Sequence, residues 1–260
     1  MQIVMYRAME KTRSYYVRCL TLGVVIANIV FNGVYAQLFK GPDIQQVSRS
    51  FHDLFTPAGY VFSIWGLIYL SFMIYGVVSL MPSQRRDTVY DRLSIPLMLA
   101  NVFGSLWIMA FTHRQFVISL IILLIMLALS IVMFLRVNDS TIKEDFNRWI
   151  LVPFSLFFGW ISVATIAGTA VTLISLGYDG GSFGVEQWTI AMIVVAAVLA
   201  IIVESRFNNY LFPLVIVWAS IGIWDERQMD HPTVAIVALI SSMVILLFVI
   251  GHAIARYLRA

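Results

Sequence analysis

A helix needs about 20 apolar residues to cross a bilayer core. Eight hydrophobic stretches, most of about that length, fill nearly all of this 260-residue chain. The runs are continuous rather than alternating. In lipid only helices and closed barrels satisfy their backbone hydrogen bonds, so these runs read as helices. The spans fall at 18–39, 57–81, 93–112, 115–136, 149–176, 187–204, 209–224 and 232–256. A chain 60% hydrophobic and only 12% charged cannot be a soluble domain. The expected fold is an all-α integral membrane protein of eight transmembrane helices with little mass outside the bilayer. The seventh span is the weakest, because it is short and holds Pro213.

Basic residues in the connections set the sidedness of a helical membrane protein. With the N-terminus inside, the inner face holds Arg7, Lys11, Arg13, Arg18, Arg85, Arg86, Arg92, Arg136, Lys143, Arg148, Arg206, Arg256 and Arg259. The outer face holds Lys40, Arg49, Arg114 and Arg227, which completes the 17 Lys and Arg. This asymmetry predicts a multi-pass protein of the cell membrane with both termini cytoplasmic. The net charge of +3 then reports topology, and no nucleic-acid partner is expected. A competing reading makes the N-terminal run a cleaved signal peptide ending near Val34-Tyr35-Ala36, leaving seven spans. The apolar run continues through Leu38 and Phe39, which favours an uncleaved first helix.

Cys19 is alone, so no internal disulfide forms, and no Cys/His spacing resembles a metal site. His52, His113, His231 and His252 are scattered through loops and one helix end, where surface roles are expected. In the first loop, Ile44, Val47, Phe51, Leu54 and Phe55 fall at helical spacing after Asp43, a suitable N-cap. This predicts a short amphipathic helix at the outer interface. Two roles stay open to it: a joint between spans, or a lid over a cavity.

No Asp, Glu, Lys or Arg lies near the middle of a span, and Glu204 at the inner end of the sixth comes closest. Intramembrane ionisable groups mark proton relays and ion-coupled carriers, so their absence counts against both. Neutral polar groups remain. Asn28, Asn32 and Tyr35 share one face of the first helix, and Asn101 lies within the third. Interhelical hydrogen bonding and ligand contact are the two readings for them. Trp149 and Trp188 sit at span ends as interfacial anchors. Trp65, Trp107, Trp160 and Trp218 lie deeper, where each indole N–H needs an acceptor, so they are expected to face helices or a cavity.

Residues 56–70 read Thr-Pro-Ala-Gly-Tyr-Val-Phe-Ser-Ile-Trp-Gly-Leu-Ile-Tyr-Leu. This resembles the opening of the second helix in the TspO/MBR family, the tryptophan-rich sensory proteins related to the mitochondrial translocator protein. Pro57, Gly59, Val61, Phe62, Trp65 and Tyr69 match the pattern, while Ala58 replaces a proline and Tyr60 a tryptophan. Leu99-Ala100-Asn101 through Ser105 resembles the third-helix motif, with Gly104 at its Trp position and Trp107 three residues on. Trp160 with Ala164-Thr165 resembles the fifth-helix motif, with Gly168 at its Asn position.

The resemblance covers residues 18–176 and divides the chain into a cytoplasmic basic arm (1–17), a TspO-like five-helix bundle (18–176) and three additional helices with a short tail (177–260). It implies a ligand cavity capped by the loop between helices one and two, and a homodimer as the assembly. It further implies a porphyrin, haem, sterol or other hydrophobic small molecule as ligand, with no cofactor required. The ligand-binding residues it selects, together with the polar set above, are Asn28, Asn32, Pro57, Gly59, Tyr60, Phe62, Trp65, Tyr69, Asn101, Trp107 and Trp160.

Three functions remain open at this level. The first is a sensor or carrier binding a flat hydrophobic ligand between helices one, two, three and five. The second is an eight-helix secondary transporter in which Pro213 and the run Trp218–Trp224 form a discontinuous element. The third is a porphyrin- or lipid-modifying enzyme, for which no nucleophile–base pair or metal motif is present.

Overall fold

The apolar runs fold as helices throughout. The structure, a computed structural model, describes residues 2–39, 47, 53–85, 87–139, 148–178, 180–181 and 184–258. Among these, eight long helices follow in order: α1 (Gln2–Phe39), α2 (Ile64–Ser79), α3 (Val89–Thr112) and α4 (Phe116–Asn138). Then come α5 (Leu151–Ser175), α6 (Gly184–Phe207), α7 (Leu211–Arg227) and α8 (Pro232–Tyr257). A 3₁₀ turn, Gly59–Ser63, leads into α2. All except α7 are long and apolar enough to cross a membrane, α2 together with its turn.

In the N-terminal third, α1 runs from Gln2 through the basic residues and the first span as one helix. The amphipathic helix after Asp43 lies mostly outside the described residues. Of its apolar positions, Val47, Leu54 and Phe55 are described, and all three are buried.

The 17 residues of α7 rise about 25 Å, short of a full span. The helix nevertheless runs from one end of the fold to the other. Near its start, Asn209 Nδ2 donates to Ser155 Oγ at 2.7 Å, beside the first turn of α5. At its other end Arg227 reaches residues 53–56, in the loop before α2. The C-terminal ends of α6 and α8 also meet, with His252 Nδ1 at 3.1 Å from Glu204 Oε1. Those two helices are therefore parallel, and α7 returns between them. The connectors Asn208–Tyr210 and Gln228–His231 are too short for any other path. Nor is α7 discontinuous: Pro213 stands in its first turn, where a missing N–H costs no helical hydrogen bond.

Packing closes α1 to α5 into a ring. α1 touches α2 and α3, α3 touches α4, α4 touches α5, and α5 returns to α2. The last three helices form a second layer on this ring. α7 packs on α5 and on the turn before α2, with α8 and α6 behind it.

One interior proline is compensated from outside its helix. Pro96 in α3 has no N–H, so the carbonyl of Arg92 loses its intrahelical donor. The Arg136 guanidinium, at the end of α4, donates to that carbonyl instead.

The join between ring and second layer depends on a small residue. A Cβ on Gly159 of α5 would sit 2.8 Å from Cβ of Val215 on α7. Gly159→Ala is expected to cost about 1–3 kcal/mol through overpacking. Thermal unfolding in detergent should show the loss, whereas Gly23→Ala, with nothing within 4 Å of the new Cβ, should be neutral or slightly stabilising.

Candidate functional site

Inside the ring the small and polar residues of α1 and α3 face the aromatic side of α2. Between them lies a cavity of about 330 Å³, lined by Asn28, Asn32, Trp65, Tyr69, Asn101 and Trp107, with Gly104, Phe72, Met126 and Phe157 completing much of the wall. A smaller cavity of about 40 Å³ adjoins it and shares Trp65, Trp107 and Met126. Its other walls include Thr56, Pro57, Phe62, Trp160 and Gly168. Among the described residues, none that lines either cavity is charged.

The polar residues of the larger cavity bond chiefly to one another. Asn28 Nδ2 donates to Asn101 Oδ1 at 2.9 Å, tying α1 to α3. Asn28 Oδ1 accepts from Asn32 Nδ2 and from Ser105 Oγ, each at 2.7 Å. Asn101 Nδ2 turns back to the Leu97 carbonyl at 2.8 Å. Tyr35, on the same face of α1, meets Thr112 Oγ1 at 3.1 Å. The Asn28 bonds to Asn101 and Ser105 tie α1 to α3, while Asn32 and Asn101 also bond within their own helices.

The indoles divide differently. Trp218 Nε1 donates to the Val61 carbonyl at 3.0 Å. Trp107 and Trp160 are 8% and 2% exposed, and neither Nε1 has an acceptor among the described residues. Each lines the smaller cavity, and Trp107 lines both. An unmade hydrogen bond at a buried donor costs about 1–3 kcal/mol. The rings around them are held by aromatic contacts. Trp65 stacks on Tyr69 with centroids 5.4 Å apart and meets Trp160 edge-on at 6.4 Å. Phe62 meets Trp160 edge-on at 5.6 Å, and Trp107 stacks on Phe111 at 5.2 Å.

Nine of the eleven residues selected from sequence thus line one or both cavities. Gly59 and Tyr60 line neither. Tyr60 is 47% exposed and lies edge-on to Trp218, turned toward α7 rather than into the ring. The position-104 departure has a local effect: a Cβ there would stand 3.6 Å from Asn28 Oδ1, so glycine keeps the wall open beside the amide pair.

Sequence reasoning pointed to the loop before α2 as a cap but missed what shapes it. Asp53 is buried and shapes this segment, accepting from the Phe55 amide, the Thr56 amide and the Thr56 hydroxyl at 3.1, 2.8 and 2.8 Å. Burial pushes its carboxyl above the usual carboxylate value; the Thr56 hydroxyl and amide, Arg227 and the Phe55 amide pull it back down. It also missed His252, which faces a carboxylate rather than solvent, and Arg18, which is buried rather than free at the membrane surface.

The helices define a multi-pass α-helical membrane protein. The chain belongs to the family described as TSPO-like protein, whose family model matches residues 18–251. The match runs past residue 176, where the sequence motifs end, and takes in α6, α7 and most of α8. No curated protein and no solved structure gives a match.

Proposed function

We propose that the protein is a sensor or carrier for a flat hydrophobic molecule with hydrogen-bond acceptors, held between α1, α2, α3 and α5. Tetrapyrroles such as protoporphyrin or haem are the ligand class that best suits these walls. The carrying observation is the pair of buried indole N–H groups on Trp107 and Trp160 that lack acceptors beside two connected cavities. Apolar cavities of about 300–1,000 Å³ with a few convergent polar groups are the usual small-molecule sites. An uncharged lining favours a ligand whose body is apolar and whose oxygen or nitrogen acceptors meet the indoles. The basic-residue asymmetry supports a cell-membrane orientation with both termini in the cytoplasm.

Trp107→Phe and Trp160→Phe keep an aromatic ring but remove the N–H donor with the five-membered part of the indole. Each is expected to weaken tetrapyrrole binding about tenfold, the value of one buried hydrogen bond. Titration of purified protein in nanodiscs reads this directly. Unchanged affinity in both variants would remove the indoles from the site.

A second reading, secondary transport, draws on Glu204. This carboxylate is 2% exposed, and among the described residues its Oε2 has no partner while Oε1 faces His252. Substrate uptake into proteoliposomes that depends on an ion gradient and is abolished by Glu204→Gln would favour transport over sensing.

A further inference from the structure

The part of the fold that closes the smaller cavity is fastened to a helix outside the ring. Segment 53–62 contributes Thr56, Pro57 and Phe62 to the cavity wall. Its backbone is bound to α7 at three levels. At the C-terminal end of α7, Arg227 donates through Nη2 to the carbonyls of Asp53 at 2.7 Å and Thr56 at 3.4 Å. The same side chain donates through Nε to the Leu54 carbonyl at 3.3 Å. One turn in, the Ala58 amide donates to the Gly222 carbonyl at 3.0 Å, a backbone bond between two elements that are not otherwise paired. A further turn in, Trp218 Nε1 donates to the Val61 carbonyl at 3.0 Å, and its ring meets Tyr60 edge-on at 5.4 Å.

The approach is as close as backbones allow. A Cβ on Gly222 would lie 2.1 Å from Cγ2 of Val61 and 3.0 Å from Cβ of Pro57. Glycine at 222 is therefore required for the segment to seat. Within the segment both carboxylate oxygens of Asp53 are already taken by residues 55 and 56. Arg227 accordingly grips the carbonyls on the outside of a turn that Asp53 has pre-formed.

We propose that α7 is a latch on the ligand cavity: Arg227, Gly222 and Trp218 are positioning residues whose hold on segment 53–62 sets how fast ligand enters and leaves. This rests on the ligand-binding reading above. None of the three lines either of the two cavities described, so they act through Pro57 and Phe62 rather than by touching ligand there. A latch that stays closed most of the time changes rates without changing affinity. Weakening it raises the open fraction, and association and dissociation rise by the same factor.

The test is stopped-flow tetrapyrrole binding to the full chain in nanodiscs, with Arg227→Gln and Trp218→Phe against wild type. The expected result is a rise of about tenfold in both rate constants for Arg227→Gln, with the dissociation constant unchanged within about threefold. A fall in affinity with unchanged association would make the residues merely structural and overturn the latch. If wild type shows no saturable binding, the ligand reading fails, and a ligand-free measurement still decides the latch. In a Cys19→Ser background, Ala58→Cys places a thiol at a position only 6% exposed. A soluble maleimide should label it slowly, and about tenfold faster once Arg227→Gln is added. Equal labelling rates in the two backgrounds would overturn the latch.

Discussion

Replacing Arg18 with alanine is expected to destabilise the protein by about 3–5 kcal/mol, the largest effect of any single substitution proposed for this fold. Arg18 stands at the start of the first membrane span yet is only 3% exposed. Its Nε donates to Asp91 Oδ1 at 2.7 Å, joining α1 to α3. Nη1 donates to the Ser79 and Gln84 carbonyls at 3.0 and 2.8 Å, and Nη2 to the Asp87 carbonyl at 2.7 Å. The guanidinium also lies over the Tyr90 ring, 5.2 Å from its centroid. One side chain thus caps the C-terminus of α2 and fixes the α2–α3 connection.

Alanine would remove the Arg18 donors from these carbonyls, and among the described residues Asp91 would keep only its bond from Ser14 Oγ. Lysine keeps the charge but not the planar fork, so Arg18→Lys should recover only part of the loss. Thermal unfolding in detergent is the measurement. A midpoint for Arg18→Ala within about 2 °C of wild type would show that these bonds contribute little.

The second large effect concerns binding. Trp65→Ala is expected to lower tetrapyrrole affinity by about 30-fold or more, as loss of a buried Trp anchor commonly does. Trp65 is the ring that both cavities share on α2, and it is held between Tyr69 and Trp160. Truncation removes the stacking surface and the partition between the two spaces together. Because Trp65 is only half-buried and makes no side-chain hydrogen bond to the described residues, the variant should still insert and run as a monodisperse species. Trp65→Phe should lie between it and wild type. Equal affinities in the three proteins would place the ligand elsewhere.

The membrane helices were legible because span length and continuous hydropathy are local properties, readable one run at a time. The sidedness that the charges in the connections point to is an expectation of the sequence alone. Residues at helical spacing were readable in the same way: Asn28, Asn32 and Tyr35 share a face of α1, and motif residues Trp65 and Tyr69 stack one turn apart. What the sequence could not display were contacts between distant elements. Arg227 and Asp53 are separated by 174 positions, and Trp218 and Val61 by 157, with no periodicity linking them. Tyr60 stood inside a matching motif, so it was placed with the cavity, but its ring follows Trp218 of α7.

Arg18 shows the same limit from another side. As a letter it is one more inner-face cation; only the folding of residues 79–91 around it makes it buried. For Trp107 and Trp160 the signal was present in part. Deep indoles need acceptors, and the structure distinguishes Trp218, which has one, from the two that do not.

The most direct test of the central claim is tryptophan-fluorescence titration of the wild-type protein in nanodiscs with protoporphyrin IX and haem. Absorbance by the ligand must be corrected, and empty nanodiscs and a sterol run alongside. The account predicts saturable quenching at about micromolar concentration with one site per chain, beyond anything in empty nanodiscs. Quenching that rises linearly with ligand and matches nonspecific partitioning into lipid would contradict it.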